Sequence, residues 1–134
     1  MITWAITNQL ACSPRPGAAS LPAQAAEVNA WLKKVKGMGI RSIICLLSTQ
    51  ELYECYLFAG MDLLKLYNEA GMEVAHYPIT DSLTRRQESE ILPEIGKFYD
   101  RAPKACLVHC NAGINRTGTV IKHLRRHHAH PSPG

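Results

Sequence analysis

The chain has 134 residues, of which 46% are hydrophobic and 19% charged, with a formal net charge of +4. That length holds one domain around one core, and the composition excludes both a disordered chain and one with a membrane span of ~20 apolar residues. Five cysteines, an odd number at scattered positions, fit a reduced compartment better than a disulfide framework.

Met1-Ile2-Thr3-Trp4 shows no basic region ahead of an apolar stretch, so no signal peptide is expected and a cytoplasmic location is. Thr3 to Ile6 and Gln9 to Cys12 read as a hairpin about the turn-prone Thr7-Asn8. Ser13-Pro14-Arg15-Pro16-Gly17 is a loop, its prolines removing ladder donors. Leu21 to Lys36 has helical spacing at Val28, Trp31, Leu32 and Val35, with Ser20 as N-cap and Pro22 in the first turn.

Ile40 to Leu47 is a short, β-branched run of the kind buried on both faces of a parallel sheet. Ser48-Thr49-Gln50-Glu51 is a capping box opening a helical region to Ala70, divided at Gly60. Met72 to Tyr77 is a further strand, followed by the loop Pro78-Ile79-Thr80-Asp81-Ser82. Thr84-Arg85-Arg86-Gln87 is a second capping box, so a helix is expected from Arg85 to Asp100, kinked or restarted at Pro93. Ala105 to His109 is the last strand. Strands alternating with helices imply an α/β fold with a mainly parallel central sheet flanked by helices, whose ligands bind beyond the carboxyl ends of the strands. A single domain is expected over 1–126, with 127–134 as a flexible tail in which the histidines are solvated.

Cys110 stands at such a strand end. A thiol with its usual pKa near ~8.5 is weakly reactive unless its surroundings stabilise the thiolate. If the loop Asn111, Ala112, Gly113, Ile114, Asn115 and Arg116 curls over the sulfur and leads into a helix, its N–H groups form a cradle for a thiolate and for phosphate oxygens alike. Arg116 offers a planar fork for the equatorial oxygens. Gly113 permits the close turn, Thr117 places a hydroxyl near the sulfur, and His109 orients the loop through its ring nitrogens.

The string His109-Cys110-x5-Arg116-Thr117-Gly118 resembles the signature of the cysteine-dependent protein tyrosine phosphatases. The resemblance covers most of the chain, including Leu10-Ala11-Cys12-Ser13-Pro14-Arg15-Pro16, which is similar to the segment opening small dual-specificity domains. It implies a phosphate-binding loop between the last strand and the C-terminal helix, with Cys110 as nucleophile forming a phosphocysteine. It also implies Asp81 as general acid and then base, because the family carries its acid loop at that place. No Trp precedes Pro78, which points to the compact dual-specificity class. The scheme requires no cofactor and no metal.

The expected substrate is a phosphorylated protein, phosphotyrosine first, with phosphoserine and phosphothreonine as additions. No Lys lies inside the loop, unlike in the phosphoinositide phosphatases of the superfamily, and no membrane partner is expected. Asn115-Arg116-Thr117-Gly118 is also similar to the loop of RNA 5′-triphosphatases, so 5′-phosphorylated RNA stays open as the alternative substrate, although Asp81 favours phosphomonoesters. A phosphate-binding module without turnover is the competing class. Arg85 and Arg86 are open between a phosphosite-flanking role and plain solvation, and Cys45 between core packing and a partner for an oxidised Cys110. Family domains usually continue past the helix beginning at Arg116, so either the fold is minimal, or surface left uncovered there is covered by partner chains, self-association being one route.

Overall fold

The computed structural model describes residues 1–130. The elements run β1 (Thr3–Ile6), β2 (Leu10–Ser13), α1 (Ala25–Gly37), β3 (Ser42–Cys45), α2 (Thr49–Cys55), a 3₁₀ turn (Leu57–Ala59), α3 (Leu63–Glu69), β4 (Glu73–His76), α4 (Arg85–Arg101), β5 (Cys106–His109) and α5 (Asn115–Ala129). One five-stranded sheet has the order β1-β2-β5-β3-β4. β1 pairs antiparallel with β2, as the hairpin at Thr7-Asn8 requires, with Asn8 left-handed at φ 61°. The other pairs are parallel, as helical crossovers demand. The fold is α/β with a mainly parallel sheet.

Strand alternation splits the core into two layers. Ile43, Cys45 and Leu107 pack with Val28, Leu32 and Val35 of α1, Leu52 of α2 and Tyr67 of α3. Ile44, Leu46, Cys106 and Val108 pack with Ile95 and Phe98 of α4 and Val120, Ile121 and Leu124 of α5. Every residue of β3 and of β5 is buried, which explains why both are apolar apart from Ser42 and His109, each of which is hydrogen-bonded.

Both capping boxes form in full: Ser48 with Glu51 at the start of α2, and Thr84 with Gln87 at the start of α4. Gly60 is left-handed at φ 82° and separates α2 and the 3₁₀ turn from α3. A single α4 passes through Pro93. The proline is exposed, so water can take up the carbonyl it leaves free, while Ile95, Phe98 and Tyr99 hold the helix on the sheet.

Three expectations need correction. α1 begins at Ala25 and not at Leu21, because Pro22 disfavours helix at Leu21 and the Ala23 N–H is donated to Cys55 O (2.9 Å). His127, His128 and Ala129, assigned to a flexible tail, form the last turn of α5. His127 Nε2 lies 2.8 Å from Asp100 Oδ1 and its ring stacks on His123, contacts that an isolated tail would lack. Residues 131–134 lie outside the described part. Nor is the apolar stripe of α5 uncovered among the described residues: Val120, Ile121 and Leu124 are buried, and the large exposed apolar side chain on that side is Ile114 at the helix cap, beside the cavity, while Tyr53, Leu57 and Phe58 lie on α2 and the 3₁₀ turn. Among the described residues no helix is long and apolar enough to cross a membrane.

The registers decide where the site forms. Ser13 and Cys45 both stand beside His109, and His76 stands beside Cys45. The chain therefore leaves β2, β3, β4 and β5 along one edge, bringing Arg15, Glu51, Asp81 and Cys110 into one neighbourhood.

Candidate active site

β5 ends at His109, and the next residues turn sharply into α5. Gly113 makes that turn possible, with φ at 78°. A Cβ there would lie 2.8 Å from both Pro14 N and Ser13 O, so the backbone of the β2 exit loop occupies the space that any side chain needs. The Gly113 N–H points back at Cys110 Sγ, 3.3 Å away.

Cys110 is 2% exposed. Burial alone would raise its pKa, but Thr117's hydroxyl and N–H, the Gly113 N–H and the Arg116 charge outweigh it and lower the thiol below its ordinary value. Thr117 Oγ1 is buried and makes no hydrogen bond of ordinary geometry among the described residues; its influence on the sulfur is that of a nearby dipole. Cys45, fully buried in the core, is pushed up to about 12 mainly by burial, and Cys106 to about 11 for the same reason. Cys110 is the buried cysteine with an environment that favours the anion.

His109 is fully buried and its pKa falls to about 4, chiefly through burial, so the ring is neutral near pH 7. Nδ1 lies 3.1 Å from Cys110 O and Nε2 2.7 Å from Tyr67 Oη. A carbonyl only accepts, so these partners place the proton on Nδ1 and make Nε2 the acceptor of the Tyr67 hydroxyl. His109 thus ties the cysteine's own carbonyl to α3.

Arg116 has a partner that local sequence does not reveal. Its Nη1 donates to Glu51 Oε1 (2.6 Å) and its Nη2 to Glu51 Oε2 (2.9 Å), while Nη1 also reaches Leu46 O and Ile79 O. That end of the guanidinium is fully engaged. Nε and the second Nη2 proton form the other edge, with no acceptor on Nε among the described residues, and two parallel donors on one edge suit a phosphate. Glu51 also accepts from Ser48 N and Asn111 Nδ2, both at 2.9 Å. Burial opposes its charge, yet Arg116, the Ser48 N–H and Asn111 hold its carboxyl down at about 2.

A cavity of about 250 Å³ opens between the two loops. Thr80 and Asp81 line one side; Cys110, Asn111, Ala112, Ile114, Asn115 and Arg116 line the other. His109, Gly113 and Thr117 support the loop from behind and do not line the cavity. Asp81 is exposed, and its Oδ1 accepts from Ser82 N (2.8 Å), so it serves as a turn residue while facing the cavity. Arg85 and Arg86 are exposed and do not line it; Arg86 pairs with Glu90 at 3.0 Å.

α5 starts without a side-chain cap, because Ile114 occupies the cap position. The first N–H groups of the helix are therefore left for an anion. A thiol lowered below its ordinary value at the base, open helix N–H groups, a cationic fork and a facing carboxyl can bind a tetrahedral oxyanion and transfer a proton across it.

A family model described as the phosphatase of polymorphic toxin systems, DSP-PTPase (Tc-R-P), matches residues 17–129. The chain belongs to this family. As a member of the Tc-R-P family it is a phosphatase, a hydrolase of the dual-specificity and tyrosine phosphatase type. Its fold is similar to that of Tk-PTP in the active form, at 22% identity and TM-score 0.65 over 98% of this chain and 76% of that one. It is also similar to a kinase-associated phosphatase with its catalytic-site cysteine replaced by serine, at 21% and 0.65 over 92% and 74%. The OH1 tyrosine phosphatase of Orf virus follows at 19% and 0.59 over 98% and 64%. These identities speak to the fold alone. No curated protein matches the chain. The Tc-R-P match begins at Gly17, so the hairpin and its exit loop up to Pro16, Arg15 included, are outside it.

Proposed function

We propose that the chain hydrolyses phosphomonoesters, protein phosphotyrosine first and phosphoserine or phosphothreonine in addition, through a phosphocysteine. The Cys110 thiolate attacks phosphorus, the bond from phosphorus to the ester oxygen breaks, and Asp81 gives its proton to the leaving oxygen. Water then attacks, the S–P bond breaks, and Asp81 takes the water's proton as inorganic phosphate leaves. Arg116 and the loop N–H groups of residues 111–116 carry the charge on the transferring oxygens, and Thr117 steadies the sulfur.

The observation that supports this reading best is the set of groups converging on Cys110. Its thiol is lowered despite burial, a donor edge of Arg116 is left open, and Asp81 lies across the same cavity. The catalytic-site cysteine named for the kinase-associated phosphatase and the triple substrate specificity named for OH1 fit a cysteine mechanism and a tolerant cavity. A carboxyl at Asp81, across the cavity from Cys110, favours esters, whose leaving oxygen needs a proton, over the anhydride of a 5′-triphosphate.

Phosphate release from a phosphotyrosine peptide, in excess chelator, tests the reading directly. Turnover is expected for the wild type, none for Cys110→Ser, and loss of the basic limb of the pH–rate profile for Asp81→Asn. Full turnover in Cys110→Ser refutes the mechanism. Peptide binding without release at any pH selects a binding module, and release confined to 5′-triphosphorylated RNA selects the alternative substrate.

A further inference from the structure

Arg15 is 5% exposed, and no carboxylate pairs with it among the described residues. Burying a cation without a counter-ion is costly, so its hydrogen bonds must hold it. Nη1 donates to Gly17 O (3.2 Å), Nη2 to Ser20 O (2.7 Å) and Nε to Asn111 Oδ1 (3.1 Å). The Arg15 backbone N–H donates to Asn111 O at 2.9 Å. The guanidinium also lies 5.8 Å over the ring of buried Tyr56, whose hydroxyl donates to Pro16 O (2.6 Å). One residue of the β2 exit loop therefore grips Asn111 by side chain and by main chain, from a rigid seat.

The grip continues. With its oxygen turned to Arg15, the Asn111 amide presents Nδ2 to Glu51 Oε2 at 2.9 Å, and that oxygen also receives Arg116 Nη2 at 2.9 Å. Reversing the amide would set donor against donor at Arg15 and acceptor against acceptor at Glu51, so both ends enforce one orientation. We infer that Arg15 is a positioning residue for the phosphatase reaction, acting through Asn111 and Glu51 to fix the guanidinium of Arg116.

Arg15 touches neither the sulfur nor the cavity, so it acts by alignment and not by contact with substrate. The buried cation polarises the Asn111 amide, making its N–H a stronger donor to Glu51, as hydrogen bonds in a chain strengthen one another. Arg116 acts most on the transition state, so loss of alignment lowers kcat more than it raises KM.

The inference rests on the reading of Cys110 to Arg116 as the reactive loop, and a double-mutant cycle on the whole chain tests it. Hydrolysis of p-nitrophenyl phosphate is measured for Arg15→Met, Asn111→Ala and both together, with Cys110→Ser alongside. Each single variant is expected to lose about tenfold in kcat with KM changed less than about twofold, and the double variant to stay within about twofold of Asn111→Ala, because both break one chain. Losses that multiply to about a hundredfold, or a kcat in Arg15→Met equal to wild type, overturn the inference. If Arg15→Met melts too low to assay, the same cycle is run with Arg15→Lys, which keeps the charge but cannot hold Asn111, Gly17 and Ser20 at once, and the same two outcomes decide. Turnover retained by Cys110→Ser would remove the reading of the loop itself; an inactive Cys110→Ser with multiplying losses would remove only the relay.

Discussion

Replacing Glu51 by Gln keeps the size of the side chain and removes its charge. In the wild type its two oxygens accept from Ser48 N, Asn111 Nδ2 and both Nη groups of Arg116. Glutamine has one oxygen to share, and its amide nitrogen must face Asn111 Nδ2 or Arg116, donor to donor. Breaking a buried ion pair from one side costs ~3–5 kcal/mol. The pair's side chains are 10% and 19% exposed and the Ser48 bond can survive, so a loss of ~2–3 kcal/mol is expected at pH 7. A similar loss of transition-state alignment at Arg116 lowers kcat by about 30- to 150-fold. The sign of the pH dependence is fixed: the carboxyl is held at about 2 against an ordinary 4.5, so its contribution is complete above 4.5 and is lost as the pH falls through the folded value. Glutamine does not titrate there. Urea unfolding of both proteins followed by circular dichroism should show a gap at pH 7 that narrows towards pH 2. A gap below ~0.5 kcal/mol at pH 7, or one that stays constant with pH, refutes the reasoning.

Gly113→Ala should be far more damaging than its size suggests. The new Cβ meets the backbone of Ser13 and Pro14 at 2.8–2.9 Å and takes on a left-handed φ, so a stability loss of ~2–4 kcal/mol is expected by thermal melting, together with loss of vanadate inhibition; a variant as stable as wild type would show that the two loops can separate freely. Alkylation by iodoacetate at pH 6.5 should inactivate the protein through Cys110, with inorganic phosphate protecting, while Cys45 and Cys106, at about 12 and about 11, stay unmodified. Peptide mapping that finds Cys45 labelled before Cys110 would contradict the ordering of the thiols.

The strands, both capping boxes and the loop from Cys110 to Arg116 are legible because their signals are local: spacing, caps and a glycine at the turn. Glu51 shows where legibility stops. Its place in a capping box is readable from Ser48, three positions before it, but its grip on Arg116 depends on β3 and β5 lying side by side with Cys45 beside His109. Arg15 is similar, since its partner Asn111 is brought to it by the pairing of β2 with β5. The late start of α1 was hidden because Pro22 suits a first helical turn as well as a turn ahead of the helix, and only the bond from Ala23 to Cys55 O decides between them. The last turn of α5 was missed because its histidines carry no apolar period; Asp100, on another helix, holds His127.

Ile114 at the start of α5 has a consequence for the economy of turnover. A helix that begins on Ser, Thr, Asp or Asn carries its own acceptor, and one that begins without such a residue is weaker by ~1 kcal/mol. In the proposed reaction the missing acceptor is the oxyanion itself, so an occupied loop would have a more complete α5 than an empty one. Substrate, the proposed phosphorylated intermediate and released inorganic phosphate would all supply the same oxygens to the same N–H groups. The helix cannot tell the last from the first, and an enzyme built this way retains affinity for its own product.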